Sequence, residues 1–429
     1  MASSSKLDVV VFGASGVTGG FAVEKLLEFS QEVGNLKWGV AGRNVDKLSA
    51  VLSKLSKKTG VDLSKIPISV ADVKDDESLR KMAGQVRVVI NCVGPYVFHG
   101  EAVVKACVDA GAHYVDVTGE PQFMEKMQLQ YHELAKQNGV YIVSSCGYDS
   151  IPADLGTVFL TNNFQGEVNS IEAYMKFTMK KFKWGPSVNY GTLHSAVYLL
   201  SEVHSLKEIR QKLFQEQLPR HALPLKHKWF VHRNEDVGGW SVPFPGPDRS
   251  VVHRSQRYFY QNEKQRPVQM CTYITFPWLL VALTMWLFGG LFLLLIKTSF
   301  GRNLVLKYPK LLTGGFIGVD EISEECAENV DSSLFLCGKG WKDKALEPSD
   351  QHFSAPDKKI IVKVSGTNPV YGVTCTALVW SAITILHEAD KMPSSGGVYP
   401  PGAAFKRTSL IEKLNKHGLK FEVVSKQEK

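Results

Sequence analysis

Near its N-terminus the chain reads Val9-Val-Val-Phe-Gly13-Ala-Ser-Gly16-Val-Thr-Gly19. Apolar residues before the first glycine predict a buried strand, and the following stretch to Phe29 predicts a helix. Gly13 permits a tight turn, Gly16 lets the backbone approach a pyrophosphate, and Gly19 lets the helix pack against the strand. The predicted dinucleotide-binding turn comprises Gly13, Ala14, Ser15, Gly16, Val17, Thr18 and Gly19. An ordinary glycine-rich turn is the alternative.

Apolar runs continue to alternate with helical stretches through the first 150 residues. The predicted strands are Val9–Phe12, Trp38–Ala41, Ile68–Val70, Val86–Cys92, His113–Val117 and Val140–Ser144. The predicted helices are Gly16–Phe29, Val45–Leu55, Glu77–Ala83, Glu101–Ala110 and Pro121–Asn138. Strands separated by helices predict an α/β class, with a doubly wound parallel Rossmann sheet over residues 1–150.

The end of the second predicted strand indicates which dinucleotide is bound. A site for NAD normally has a carboxylate there for the ribose 2′-hydroxyl, whereas this chain has Arg43. A guanidinium can hold a 2′-phosphate through paired hydrogen bonds, so the sequence predicts NADP as cofactor. The alternative is that Arg43 is a solvated surface residue. Asp72, after the third strand, is predicted to contact the adenine.

The turn after the fourth strand, Asn91-Cys-Val-Gly94-Pro95-Tyr96, lies where the nicotinamide ribose usually binds. Asn91, Gly94 and Pro95 are therefore predicted to contact the cofactor, although a plain strand-end turn has the same composition. No metal site is predicted, because no Cys or His cluster has ligand spacing.

A reductase usually needs a proton donor beside the cofactor. The candidates at sheet ends are Tyr148, Asp149 and Tyr96, with His99 nearby. The alternative interpretation is structural: Asp149 would cap the helix near Pro152, and Tyr148 would pack in the core. By the same reasoning, Glu120 would cap the helix that begins at Pro121.

A second α+β domain is predicted over residues 151–390. Residues 171–182 and 359–376 alternate like strands of a half-solvated antiparallel sheet, and we expect residues around 171–200 and 359–376 to share one sheet. Residues 391–429 are expected to return to the first domain. They contain a glycine and proline loop, a predicted helix near Phe405–Lys416 and a predicted strand at Leu419–Val424.

The segment Phe276–Ile296 has 21 residues without a charge. As a straight helix it would extend about 31 Å, enough to cross a hydrocarbon core. Crossing would separate the two strand segments expected to share a sheet, so we predict a hairpin or in-plane anchor that bends at Pro277 and Gly289–Gly290. A buried helix or a dimer interface is the alternative, and a homodimer remains open.

The composition indicates which classes of binding partner and which cellular compartment suit this chain. The chain has 429 residues, 44% of them hydrophobic, and a net charge of +8, which favours anionic partners such as phosphate-bearing cofactors or acidic lipid surfaces. Scattered cysteines indicate a reducing compartment, and the short polar start predicts a protein that is not secreted. The basic and aromatic segment Lys226–Arg233 is interpreted as a solvated loop, without a nucleic-acid partner.

With these residues noted, the chain resembles the saccharopine dehydrogenase-like oxidoreductases. The resembling motifs are Phe12-Gly-Ala-Ser-Gly-Val-Thr-Gly19, Ala41-Gly-Arg43, Asn91-Cys-Val-Gly-Pro-Tyr96, Tyr114-Val-Asp-Val-Thr-Gly-Glu120, Gly147-Tyr-Asp-Ser-Ile-Pro-Ala-Asp-Leu-Gly156 and Gly396-Gly-Val-Tyr-Pro-Pro-Gly-Ala-Ala-Phe405. The fifth motif is also similar to one in bacterial trans-acting enoyl reductases of lipid assembly. The resemblance implies an NADP-linked Rossmann domain, a second domain and a short C-terminal return.

The resemblance and the apolar segment together predict an NADPH-dependent reductase of a hydrophobic, lipid-derived substrate. We expect it on the cytoplasmic side of a membrane or on a lipid droplet. A non-catalytic lipid-surface scaffold or sensor that kept the Rossmann fold is the alternative. A soluble amino-acid dehydrogenase is disfavoured by the apolar segment.

Overall fold

Two seven-stranded sheets organise the chain in a computed structural model, which describes residues 6–181, 188–201, 203–313, 315, 317–318 and 324–428. The strands of the first sheet are β1 (Leu7–Phe12), β2 (Trp38–Gly42), β3 (Ile68–Val70), β4 (Val86–Asn91), β5 (His113–Asp116), β6 (Tyr141–Val143) and β15 (Gly397–Tyr399). They run in the order β15-β6-β5-β4-β1-β2-β3, and every pair is parallel. The predicted Rossmann fold is confirmed.

Helices connect the first six strands. They are α1 (Val17–Val33), α2 (Val45–Thr59), α3 (Asp76–Gly84), α4 (Tyr96–Ala110) and α5 (Pro121–Gln137). Their beginnings follow local chemistry: Asn44 accepts a hydrogen bond from the amide of Lys47, and Asp75 accepts from two amides in the first turn of α3. Because β1 lies between β2 and β4, the direction of winding reverses at β1, and a crevice opens at the carboxyl ends of these strands.

The C-terminal residues contribute to both sheets. Strand β15 pairs with β6, with Gly397 opposite Tyr141, so the chain returns to the first sheet as predicted. The following elements are α15 (Pro401–Phe405), α16 (Leu410–Lys416) and β16 (Lys420–Glu428). The predicted single helix from residue 405 to residue 416 is wrong, because two short helices flank a turn. Strand β16 pairs with a strand of the second sheet instead.

The second sheet has the order β16-β14-β13-β7-β11-β10-β9. Its other strands are β7 (Glu167–Met179), β9 (His232–Arg233), β10 (Trp240–Pro243), β11 (Gln269–Phe276), β13 (Val330–Trp341) and β14 (Lys358–Thr367). The expectation of a shared sheet is confirmed for β7 and β14, with β13 between them. It is wrong for residues 190–200, which form a helix, Tyr190–Ser201, and not a strand. The sheet is mixed, not purely antiparallel, because β7 and β11 pair in parallel across a long crossover.

The second predicted strand ends earlier than expected, and residue 182 of the first lies outside the described residues. Asn368 has a φ of 54°, and Pro369 lacks an N–H for the ladder, so β14 stops at Thr367. A π-helical turn, Pro369–Val373, then leads into α14 (Thr374–Glu388). The prediction of a strand through residue 376 was therefore wrong.

Helix α14 joins the two halves of the molecule. Its Trp380 packs on Phe29 of α1, with ring centroids 5.1 Å apart. Val11 of the first sheet and Leu336 of the second belong to one buried apolar cluster. The remaining elements are α6 (Ile151–Phe164), β8 (Val188–Asn189), α7 (Tyr190–Ser201), α8 (Val203–Leu213), α9 (Asp248–Glu263), α10 (Leu279–Ile296), α11 (Ser299–Lys307), α12 (Pro309–Leu312), β12 (Ile317–Gly318) and α13 (Glu324–Glu328).

Within the part of the chain that the structure describes, two helical segments are long and apolar enough to cross a membrane, and their burial differs. The segment Pro369–Lys391 is 83% buried and is a core element, whereas only 11% of Leu279–Ile296 is buried. The latter segment, α10, is one uninterrupted helix. The predicted bend at Gly289–Gly290 is therefore wrong, because these glycines remain within the helix. Burial within this chain, one of the alternatives, is also excluded for α10.

Candidate active site

The glycine turn is shaped by close backbone contacts. Gly13 has a φ of +83°, and its amide donates to the carbonyl of Ala41 at 2.9 Å. A Cβ at Gly13 would lie 2.7 Å from Val93 Cγ2, and one at Gly19 would lie 2.1 Å from the Gly13 carbonyl oxygen. Both positions therefore need glycine, and α1 begins directly against the end of β1.

The N-terminus of α1 is suited to an anion. Gly16, the residue before the helix, provides no side-chain cap, and the first turn contains no acidic residue. Ser15 and Gly16 are exposed, so the uncapped amides at the start of the helix are open to the crevice. Free amides and the positive end of the helix dipole fit a pyrophosphate, and the predicted turn has the geometry to hold one.

Arg43 lies just beyond β2, two residues after Ala41, which accepts the Gly13 amide. Its side chain is exposed, and it makes no hydrogen bond or ion pair with any residue that the structure describes. Asp72 is half-buried, and its Oδ1 accepts from the amide of Lys74 at 3.0 Å. The Arg43 guanidinium is therefore available to a phosphate, while the Asp72 carboxylate already stabilises a turn.

Asn91 is fully buried, in contrast to the prediction that it contacts the cofactor. Its Nδ2 donates to the Tyr114 hydroxyl at 3.1 Å, and its Oδ1 accepts from the Val93 amide at 2.9 Å. The Asn91 side chain thus shapes the turn from within. Gly94 is exposed and Pro95 is half-buried, so these two residues form the surface of the turn beside the glycine loop.

Tyr96 and Glu120 together hold the start of α4. The Tyr96 hydroxyl donates to the carbonyl of Asn91 at 3.0 Å, and its side chain is buried. The Glu120 carboxylate accepts from the amides of Tyr96 and Val97, at 3.1 and 2.6 Å, and from Ser195 Oγ at 2.7 Å. Glu120 thus caps α4, and the prediction that it caps α5 was wrong, since the open α4 terminus lies within its reach.

Tyr148 and Asp149, which are adjacent in sequence, have opposite environments. Tyr148 is 7% exposed and belongs to the large buried apolar cluster, where burial raises the pKa of its phenol. Asp149 is exposed, and its carboxylate has no hydrogen-bond partner among the residues described. Helix α6 begins after Ser150 without a side-chain cap, so the alternative role of Asp149 as a helix cap is wrong. Tyr148 has the packing role predicted for it.

Asp149 lies in the loop that follows β6, and its Oδ2 is 4.0 Å from the position that a Cβ would take at Gly119, in the loop after β5. Desolvation by the surrounding protein raises its pKa, which favours the protonated acid. The loop that carries it is strained, because the next residue, Ser150, has a φ of 141°. An open carboxyl with a raised pKa on a strained loop is a typical arrangement for a proton donor.

Asp248, the first residue of α9, was missed as a site residue. It is 3% exposed, and Ser150 Oγ donates to its Oδ1 at 3.5 Å. Burial, followed by the charge of Asp149, raises the pKa of Asp248 to about 8. The sequence shows only a proline-rich turn before a helix here, and an aspartate in that position normally stays in solvent. Only the packing of α9 against the Asp149 loop reveals it.

Comparison with known proteins identifies the family. Residues 9–143 match the family described as saccharopine dehydrogenase NADP binding domain. Over 425 residues the chain is 38% identical to the saccharopine dehydrogenase-like oxidoreductase of Homo sapiens, with 98% of each chain covered. The chain belongs to the saccharopine dehydrogenase-like oxidoreductase family. Its Rossmann domain binds NADP, as the sequence predicted.

Two further likenesses concern location and fold. A Caenorhabditis elegans relative, 36% identical over 428 residues that cover 98% of this chain and 99% of its own, is named lipid droplet localized protein. The apo histidine-tagged saccharopine dehydrogenase (L-Glu forming) of Saccharomyces cerevisiae matches 98% of this chain and 100% of its own, with a TM-score of 0.50 and 15% identity. The second likeness is one of fold alone.

The pKa of Asp248 predicts how stability depends on pH. Its folded pKa, about 8, lies above the value of about 3.9 expected in the unfolded chain. The protonated acid therefore favours the folded state at low pH, and this contribution is lost as pH rises through about 8. From about pH 5 to about pH 9, the melting temperature of the wild type should fall more steeply than that of Asp248→Asn. Asp343→Asn, at an exposed loop position, is the control and should follow the wild type. Parallel curves for all three proteins would contradict the assignment.

Proposed function

We propose that this protein is an NADPH-dependent reductase that acts on a hydrophobic, lipid-derived substrate at a lipid surface. The observation that carries the proposal is the Asp149 carboxyl, which is exposed and has no hydrogen-bond partner among the described residues. It follows β6 at the same edge of the sheet as the glycine turn. Bound NADPH supplies the hydride, and the chain must supply the proton.

Different turns of the Rossmann domain would contact different parts of the cofactor. In this proposal, the turn from Gly13 to Gly19 holds the pyrophosphate, Arg43 the 2′-phosphate, and the Asp72 turn lies by the adenine. Gly94 and Pro95 would contact the nicotinamide ribose, because Val93 packs against Gly13 and joins this turn to the glycine loop. Asn91 and Tyr96 act as positioning residues, since their polar groups are engaged inside the protein.

Asp149 then serves as the proton donor. As hydride reaches one atom of a polarised double bond, the other atom takes the Asp149 proton, and the carboxylate left behind is reprotonated from solvent. Asp248 is a buried acid close to Asp149, and its raised pKa favours the neutral form, so it adds little negative charge beside the Asp149 carboxyl. Tyr148 and Tyr96, the other candidate donors, have buried side chains and are not assigned this step.

Replacing Asp149 tests the reductase assignment. Asp149→Asn replaces the carboxylic acid by an amide of nearly the same shape that cannot act as an acid. We therefore expect kcat to fall about 100-fold while NADPH affinity stays unchanged. NADPH oxidation is measured with a panel of enals, acyl lipids and keto lipids, and Asp343→Asn is the control. Wild-type activity in Asp149→Asn would contradict the role. Tight NADPH binding without turnover on any substrate, even by the wild type, would favour a scaffold or sensor.

Replacing Arg43 tests how NADP is selected. Arg43→Asp removes the cation and places a carboxylate beside the 2′-phosphate, so calorimetry should show NADPH affinity reduced about 10- to 100-fold and NADH affinity unchanged or improved. Arg220→Asp makes the same charge change at an exposed position in the second half of the chain and should leave both affinities unchanged. Tighter binding of NADH than of NADPH by the wild type would refute the assignment.

The proposed lipid surface is formed by α10 and its neighbours. Exposed apolar side chains cover the helix, with Leu280 at 75% and Leu294 at 63% exposure. Trp229 and Phe230 are also exposed, and they belong to the segment expected to be a solvated loop. Trp286 Nε1 donates to the carbonyl of Trp229 at 2.9 Å, which ties this loop to α10. An apolar surface of this extent is typical of a contact with lipid or with another protein.

Both ends of α10 are attached to the same body of protein, which favours an in-plane anchor over a membrane crossing. The helix follows directly from β11, and Ile296 at its other end is buried with Leu193 and Val197 of α7 and Val305 of α11. The lipid droplet relative supports a phospholipid monolayer as the surface. A homodimer that covers the same face is the competing proposal.

Charged substitutions on α10 distinguish a lipid anchor from a homodimer interface. The double variant Leu280→Glu and Leu294→Glu should lose flotation with liposomes or droplets, because two carboxylates would have to enter the apolar layer. Leu346→Glu alters a side chain that is 97% exposed and lies outside α10, so it should float like the wild type. Unchanged flotation of the double variant, or a change from dimer to monomer without any lipid binding by the wild type, would contradict the anchor.

A further inference from the structure

A basic cavity of about 200 Å³ lies between α5, α9 and the turn before β15. Four of its lining side chains carry or can carry positive charge: His132, Lys136, Arg254 and Arg257. None of the described residues that line it is an aspartate or glutamate. Its volume is many times the roughly 10–15 Å³ that one water requires, so it can admit a small molecule.

The cavity is distinct from the crevice that holds the cofactor. Helix α5 starts at Pro121, immediately after Glu120, which caps α4 at the carboxyl edge of the first sheet. The cavity is lined by Gln128, His132 and Lys136, which lie in the second half of this helix. Because a connecting helix runs back along the sheet, these residues lie toward the opposite edge from the glycine turn.

Arg254 is the residue that points to a ligand. It is 3% exposed, and its Nε donates to Gln128 Oε1 at 2.8 Å. Its two terminal nitrogens are buried and have no hydrogen-bond partner among the described residues. Arginine has donors and no acceptor, so these four N–H groups require an acceptor that the surrounding protein does not supply.

The buried carboxylates of Glu125 and Asp154 lie close enough to Arg254 to interact with its charge, and they are held mainly by other groups, although Asp154 Oδ1 has no hydrogen-bond partner among the described residues. Both oxygens of Glu125 accept from Arg210, at 2.8 and 2.7 Å. Asp154 Oδ2 accepts from Ser255 Oγ at 2.8 Å and from the Gly402 amide at 2.6 Å. Burial lowers the pKa of Arg254 to about 10, so it remains charged at neutral pH. A buried charge without a direct partner is costly, and an anion in the cavity would remove that cost.

Neighbouring residues would hold the other side of such an anion. The Arg257 guanidinium carbon lies 4.5 Å from the centroid of the Phe214 ring, which fixes its orientation at the cavity. Lys136 lies on the same face of α5 as His132, one helical turn away. We propose that this cavity binds a small anion that carries a phosphate group, through Arg254, Arg257 and Lys136. The bidentate geometry of arginine suits such a group.

Thermal unfolding of the full chain tests the site with inorganic phosphate as the probe. NADP⁺ is kept saturating, so that the cofactor crevice is filled, and sodium chloride keeps the ionic strength constant. Phosphate should raise the melting temperature in a saturable manner, because it binds the folded state. Arg254→Gln and Lys136→Gln should each weaken the apparent phosphate affinity at least about tenfold.

The matched control is Lys126→Gln, which removes the same charge from the same helix outside the cavity. Lys126 and Lys136 each pair with a surface glutamate, Glu101 at 2.6 Å and Glu133 at 3.6 Å respectively, so the control change removes an ion pair that is at least as close. Lys126→Gln should keep the full response to phosphate. The comparison remains decisive if Arg254→Gln fails to fold, because the Lys136 side chain is 39% exposed and pairs with a surface residue, so its loss leaves the core intact.

A second arm distinguishes a soluble phosphate compound from a lipid headgroup. Flotation is compared on phosphatidylcholine vesicles with and without phosphatidic acid. A response to inorganic phosphate that requires Lys136 supports a soluble ligand, and binding to phosphatidic acid that requires Lys136 supports a headgroup. The proposal is overturned if neither response occurs, or if Lys136→Gln and Lys126→Gln behave alike in both assays.

Discussion

The contact between Gly13 and Gly19 constrains everything at the functional edge of the molecule. A side chain at residue 19 would occupy the position of the Gly13 carbonyl, so α1 can approach β1 this closely only with glycine. That approach aims the uncapped start of α1 at the crevice between β2 and β4. It also brings Val93 against the loop, which sets the position of the turn from Asn91 to Tyr96.

The second constraint is the segment between β14 and α14, which connects the second sheet to the carboxyl edge of the first. The rings of Tyr371 and Phe21 stack with centroids 4.8 Å apart, and Cys375 Sγ donates to the carbonyl of Thr18 at 3.5 Å. Thr374 Oγ1 accepts from the amide of Tyr148. One short segment thus touches both the cofactor helix and the loop that carries Asp149. The relative position of the proposed proton donor and the cofactor site therefore depends on how β14 ends and α14 begins.

The two long apolar helices show why composition alone does not determine location. Helix α14 of the segment Pro369–Lys391 packs against α1, β4 and β5, and the protein itself covers the segment. Helix α10 contacts the protein mainly through Ala282, Ile296 and Trp286, and its remaining apolar surface is open. Removing that apolar surface from water would be favourable, and the single chain does not bury it. This is the physical basis for association with lipid or with a second copy.

The sequence by itself determined the Rossmann half, its binding of NADP and the family, because these depend on local signals. These signals are the glycine spacing, the alternation of strand and helix, and an arginine, Arg43, where an NAD site would have a carboxylate. All of them occur within one βαβ unit. It could not separate Tyr148 from Asp149, find Asp248, or show that Asn91 is buried, since these outcomes arise where distant segments pack together. The same limit hid the strand at Gly397–Tyr399, which lacks a strand-like pattern and forms because β6 offers it a free edge. Tertiary structure decided these points because desolvation and side-chain pairing depend on neighbours far away in the chain.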